Sequence, residues 1–160
     1  MGYHIRFIIV LLLLVSNPII ISAKEIKYNH NSITIPEIKK SVDFTVLTPQ
    51  KIPDDWTLDT KLDPWVMLHY MDNKDRKLMV AIHLRKGSQI SDGDFPNAQK
   101  VDVNGNRGYF SRWADSDEID KYGDTITGGI LNWVEDGTHI EMSSSIIPKG
   151  KMLEIARSMK

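Results

Sequence analysis

The chain has no cysteine. That excludes disulfides, thiolate nucleophiles and thiolate metal sites, and it excludes the lipid anchor that exported proteins acquire on a cysteine beside the cleavage point. An excess of charge is missing too. Of 20 basic and 21 acidic residues, only Arg6 falls within the first 23, so residues 24–160 carry 19 against 21, a net charge of minus two. Such a balance offers no electrostatic footprint for nucleic acid and no basic face for anionic lipid. Gly-x-Ser-x-Gly, Ser-x-x-Lys and His-Glu-x-x-His are all absent from the sequence. With them go the usual local contexts of an activated serine and of a helical zinc site. Low-complexity tracts, internal repeats and interdomain linkers are absent as well.

Long apolar runs are confined to the N-terminus. Arg6 precedes an unbroken stretch from Phe7 to Val15, followed by Asn17-Pro18 and then by Ile21-Ser22-Ala23 ahead of Lys24-Glu25. A basic start, an apolar middle and a small-residue exit read as a signal peptide over residues 1–23, cleaved after Ala23. The run is shorter than the roughly 20 residues a spanning helix needs. Counted past the Asn-Pro break to Ala23 it reaches the lower end of that length, so an uncleaved N-terminal anchor is the alternative. Either way the body is expected to be secreted or extracytoplasmic, in the cell envelope. Its 137 residues make one domain, large enough to bury a core without metal or disulfide.

Residues 24–32 are polar and unpatterned, and residues 24–35 are expected to be a flexible lead to a single domain over residues 36–160. Ile33 to Lys40 fits either a short strand or a helical turn. Beyond it the period becomes two. Val66, Leu68 and Tyr70 share one face with Met67, His69 and Met71 opposite, and after the turn Asp72 to Asp75, Leu78, Val80, Ile82 and Leu84 alternate with Lys77, Met79, Ala81, His83 and Arg85. Asn104-Gly105 and Asp136-Gly137 each sit between two alternating runs, the strongest short signal for a tight hairpin. From Pro148 onward, Met152, Ile155, Ala156 and Met159 make one apolar stripe on a helix. The fold class is therefore α+β: an antiparallel sheet of about six or seven strands with the C-terminal helix packed on one face.

Candidate binding residues come from two patterns. Trp56 and Trp65 flank a turn and a strand start, where an exposed indole gives a stacking platform for a ligand. Met67, His69 and Met71 share a strand face, and Met79 and His83 fall on the matching face of the next strand. Thioether and imidazole together suit Cu(I). Residues two apart on a strand sit about 6.6 to 7 Å apart, so these side chains must lean together to share an ion, and methionine is otherwise an ordinary filler of cores. The acids Asp115, Asp117, Glu118, Asp120 and Asp124 crowd one loop. They miss the calcium-loop template, because Ile119 takes the fifth position from Asp115 and Asp120 stands where glycine is required. Ser143-Ser144-Ser145 at a strand end reads as a solvated edge.

The segments Phe44-Thr45-Val46-Leu47-Thr48-Pro49, Ile52-Pro53-Asp54-Asp55-Trp56, Asn104-Gly105-Asn106-Arg107-Gly108-Tyr109, Leu131-Asn132-Trp133 and Leu153-Glu154-Ile155-Ala156-Arg157-Ser158-Met159 carry a resemblance. Together they look like an extracytoplasmic domain family of unknown function from Gram-positive spore formers. In that family the domain forms the outer half of anti-sigma-factor-like membrane proteins, or stands alone behind a signal peptide. The likeness runs from about Pro36 to Lys160 and rests on turn and core signatures. Only six residues precede the apolar run, so the expectation is the outer module without a sigma-binding part. No binding residue is carried over from the family.

The function expected is that of an exported, non-enzymatic sensing or binding domain of the cell envelope, linked through the resemblance to sporulation or stress signalling. Its partner would be an envelope protein or a small ligand, with no nucleic acid, no cofactor and no membrane contact beyond an uncleaved N-terminus. A carrier of a small apolar or metal ligand is the second reading. An envelope hydrolase is the third.

Overall fold

The computed structural model describes residues 25–87, 89–113 and 128–160. The expected signal segment 1–23 and the acidic run Asp115–Asp124 lie outside the described residues. Among the described residues, no helix is long and apolar enough to cross a membrane.

Seven strands and two helices follow in the order α1 (Ile35–Ser41), β1 (Thr57–Leu62), β2 (Val66–Met71), β3 (Leu78–Lys86), β4 (Gln99–Val103), β5 (Asn106–Arg112), β6 (Gly129–Glu135), β7 (Thr138–Ser144) and α2 (Lys149–Ala156). All seven strands form one antiparallel sheet in the order β1-β2-β3-β7-β6-β5-β4. Two meanders thus meet at a central seam where β3 pairs with β7. The hairpin dipeptides act as their chemistry requires: φ is +54° and +83° at Asn104-Gly105, and +48° and +74° at Asp136-Gly137. Positive φ at both central residues is the tight turn whose twist matches the flanking strands. In the β2–β3 turn, the Asp72 carboxylate accepts the amides of Lys74, Arg76 and Lys77 at 2.8–3.2 Å.

Alternation sends Leu58, Leu68, Ile82, Met142, Leu131 and Phe110 to one face, where they are buried. Both helices cover that face. Helix α1 contributes Ile35 and Ile38, and α2 contributes Met152, Ile155 and Ala156. The stretch that fitted either strand or helix resolves as helix from Ile35, because Pro36 sits in the first turn and the Glu37 carboxylate reaches back 2.8 Å to the Thr34 amide, satisfying a donor that a helix start leaves open. Helix α2 stops at Ala156, before the stripe ends. Ser158 leaves it, its hydroxyl donating to the Ile155 carbonyl and accepting the amides of Gln50 and Lys51, while Lys160 pairs with Thr48. Met159 is buried all the same.

Two expectations are corrected. The β2–β3 register slips between Tyr70 and Met71, so that Tyr70 faces Val80 while Met71 faces Leu78. Such a bulge inserts one residue and flips the residues beyond it. Leu78 is therefore exposed, whereas Met79 turns inward and packs against the core. Residues 27–29 run beside β1: the Leu58 amide donates to the Lys27 carbonyl at 2.8 Å and the Asn29 amide to the Leu58 carbonyl at 2.9 Å. Ser144 is no solvated edge either. Its hydroxyl is buried, donates to the Met79 carbonyl at 2.7 Å and accepts the amides of Ile146 and Ile147.

The opposite face of the sheet is partly wet. Joining two meanders at β3 and β7 forces the chain to cross from the centre to the far edge, and the connection after Lys86 does so over this face. It sets Phe95 on Tyr109 with ring centroids 5.0 Å apart, and Tyr109 is buried as a result. What this loop leaves uncovered lies over β2, β3 and β7.

Candidate functional site

On that uncovered patch the side chains are polar and aromatic. In register, Met67 opposes His83, and His69 opposes Ala81. Ala81 has only a methyl group, so the His69 ring has room to lean across it towards the diagonal neighbour His83. The two Nε2 atoms lie 3.2 Å apart. One imidazole must donate to the other, so at least one is neutral. Burial first, and then the neighbouring His83, pull the His69 pKa below the ordinary histidine value, with Asp59 pulling it back. The Trp65 ring lies 5.9 Å from that of His83 and carries the Arg85 guanidinium 5.1 Å above it. On the far side of His83, Nδ1 is 3.8 Å from the Glu141 carboxylate.

His139, beside them on β7, is buried and fully engaged. Its Nδ1 accepts Nε–H of Arg85 at 3.0 Å, and its Nε2 lies 3.1 Å from Oδ1 of Asn132. Burial lowers its pKa most, the Arg85 charge next, against a smaller opposing pull from Asp94.

The second place is a cleft at the β1 edge, on the helix-covered side. Its volume is about 270 Å³, and its walls include Ile26, Pro49, Ile52, Trp56, Leu58 and Tyr70. Neither wall is loose. The lead is tied to β1, Lys27 Nζ donates to the Asp54 carbonyl at 2.9 Å, and Pro49 bridges to Met159. The Tyr70 hydroxyl, inside, has its pKa pushed far up, mainly by burial and to a lesser degree by Tyr28.

The residues singled out in the sequence are thus divided. Trp56 lines the cleft, while Trp65 lies on the opposite face against His83 and Arg85. Met67, His69 and His83 come together. Met71 shares their face but opposes Leu78. Met79 is removed to the core by the bulge. Sequence reasoning missed Arg85, Asn132, His139 and Glu141 as neighbours of this patch, and Ile26, Ile52 and Tyr70 as walls of the cleft. Alternation along β7 does place His139 and Glu141 opposite Ile140 and Met142, but only the non-local β3–β7 pairing brings them to β3. Among the described residues, no three His, Asp or Glu side chains converge as a metal site.

No curated protein and no solved structure matches this chain. A family profile matches residues 46–159. The match runs from the segment that packs under the sheet, through all seven strands, to the buried methionine after α2. The chain therefore belongs to the family described as Domain of unknown function (DUF4367).

Proposed function

We propose that this chain is an exported, non-enzymatic binding domain of the cell envelope, which takes a small, largely apolar ligand in the cleft beneath Trp56. One observation carries this reading: a cleft of about 270 Å³ with mostly apolar walls, to which Glu25, Lys27, Thr48, Gln50 and Asp54 add polar groups, held open by backbone hydrogen bonds on both sides. Ligand pockets are typically apolar, preformed concavities with a few polar groups, and those for drug-sized molecules run from about 300 to 1,000 Å³. This one lies just below that range, which favours a small molecule or the apolar end of a larger one. The non-enzymatic part of the reading draws support from how the polar side chains are used. The hydroxyls of Ser144 and Ser158 and the imidazole of His139 are spent on hydrogen bonds within the fold. Export rests on the pattern of residues 1–23. A role as an outer module in sporulation or stress signalling of Gram-positive spore formers rests on the motif resemblance.

The test is an amide-shift titration of the purified protein with indole and, separately, hexanoate. Saturable shifts confined to Ile26, Ile52, Trp56, Leu58 and Tyr70 are expected. Ile26 is exposed at the cleft mouth, so Ile26→Trp should fill the space and abolish them without disturbing the fold. Absence of shifts with both probes, or shifts indifferent to Ile26→Trp, would overturn the reading.

A further inference from the structure

We propose that His69, His83 and Met67 form a binding site for one cuprous ion on the uncovered face of the sheet. The proposal is independent of the cleft, which lies on the other face. Its basis is a distance. Two imidazole nitrogens bound to one ion at about 2.0–2.1 Å stand about 3.3 Å apart at tetrahedral angles and about 3.5 Å apart at the 120° of a three-ligand set. The Nε2 atoms of His69 and His83 are 3.2 Å apart. An ion can replace the proton shared between them once the two rings part by about 0.3 Å.

The choice of ion follows from the third ligand. Met67 is the direct cross-strand partner of His83 and the residue two before His69, so it flanks both imidazoles on the same face. Opposed side chains have Cβ atoms about 4.5–5.5 Å apart, well within the reach of an unbranched thioether. Two imidazoles and a thioether make a soft, neutral, low-coordinate set, which suits Cu(I) and is poor for zinc, calcium or magnesium. The surroundings fit a ligand role for His83. A metal-bound histidine ordinarily directs its other nitrogen to a carboxylate, and Nδ1 of His83 faces Glu141 at 3.8 Å. Trp65 covers one side of that ring. A merely structural imidazole pair would need neither a thioether opposite it nor a carboxylate behind it.

The experiment is an anaerobic titration of the purified protein with Cu(I), in competition with bicinchoninate and followed by NMR of the methionine methyl groups. One equivalent is expected to bind, shifting the Met67 methyl and the His69 and His83 ring resonances while leaving the methyls of Met71 and Met79 in place. Met67→Leu conserves volume on a half-buried position, so the fold should persist while affinity falls about tenfold or more. His69→Ala should weaken binding at least as much, and Met71→Leu should leave it unchanged. An unmoved Met67 methyl, or an affinity indifferent to Met67→Leu and His69→Ala, overturns the proposal. So does Zn(II) binding as tightly as Cu(I), since that is the behaviour of two imidazoles without the thioether.

Discussion

Arginine has only donors, so the His139 nitrogen that receives Arg85 Nε–H, Nδ1, carries no proton. The proton of the neutral ring is then on Nε2, where it donates to Asn132 Oδ1. Protonation would set a second N–H against the Arg85 donor, beside its positive charge. His139 and His69 both have folded pKa values below the ordinary 6.5, chiefly through burial. A lowered histidine pKa means that the unfolded chain binds more protons, so stability is complete above about pH 6.5 and falls as pH drops towards the depressed folded values. Aspartates such as Asp72 and Asp92 also have lowered folded values, but from a starting point of 3.8, so their share is lost only at lower pH. Urea denaturation between pH 7 and 5 should therefore show declining stability, and His139→Gln should flatten the decline. A profile that is level over this window, or one unchanged by His139→Gln, would count against the assignment.

At the scale of elements, two glycines should respond to alanine with opposite signs. A Cβ at Gly129, the first residue of β6, would come within 2.5 Å of both Phe110 Cζ and the Ser111 carbonyl oxygen. The ring can yield but the neighbouring strand's backbone cannot, so Gly129→Ala should cost about 1–3 kcal/mol. Gly150 lies in α2 with nothing within 4 Å of its would-be Cβ and an ordinary φ, so Gly150→Ala should stabilise by about 0.4–1 kcal/mol. Thermal melts of the two variants decide it. Much of this layer was legible in the sequence, because strand period and hairpin dipeptides are local signals. A sheet of about six or seven strands, both tight turns and the C-terminal helix follow from them. The bulge at Met79 was not legible, because it is a property of pairing: alternation alone cannot show where two strands slip by one, and that slip moved Met79 from candidate ligand to core. The tether of residues 25–29 to β1 was hidden for the same reason. It is made of backbone hydrogen bonds, which a polar, unpatterned sequence does not advertise.

For the whole molecule, the decisive feature is the β3–β7 seam, which no local signal predicts. It pairs residue 81 with 143 and residue 86 with 138, closing the chain on itself over more than fifty residues. The seam brings His139 and Glu141 alongside His83 and Arg85, so the patch on the uncovered face belongs to neither meander alone. It also makes one core out of two meanders. Ile82 and Leu84 of the first meander face Met142 and Ile140 of the second, and all four are fully buried in a single hydrophobic cluster. Each meander brings one helix, α1 before β1 and α2 after β7, but the buried residues of both helices and both meanders belong to that one cluster. The two halves should therefore open together. Native-state hydrogen exchange should give the same protection free energy at Leu68 and Ile82 as at Leu131 and Phe110, equal to the global value from denaturation. A gap of more than about 1 kcal/mol between the two sets would mean that one meander opens first and that the seam is an interface between two folding units.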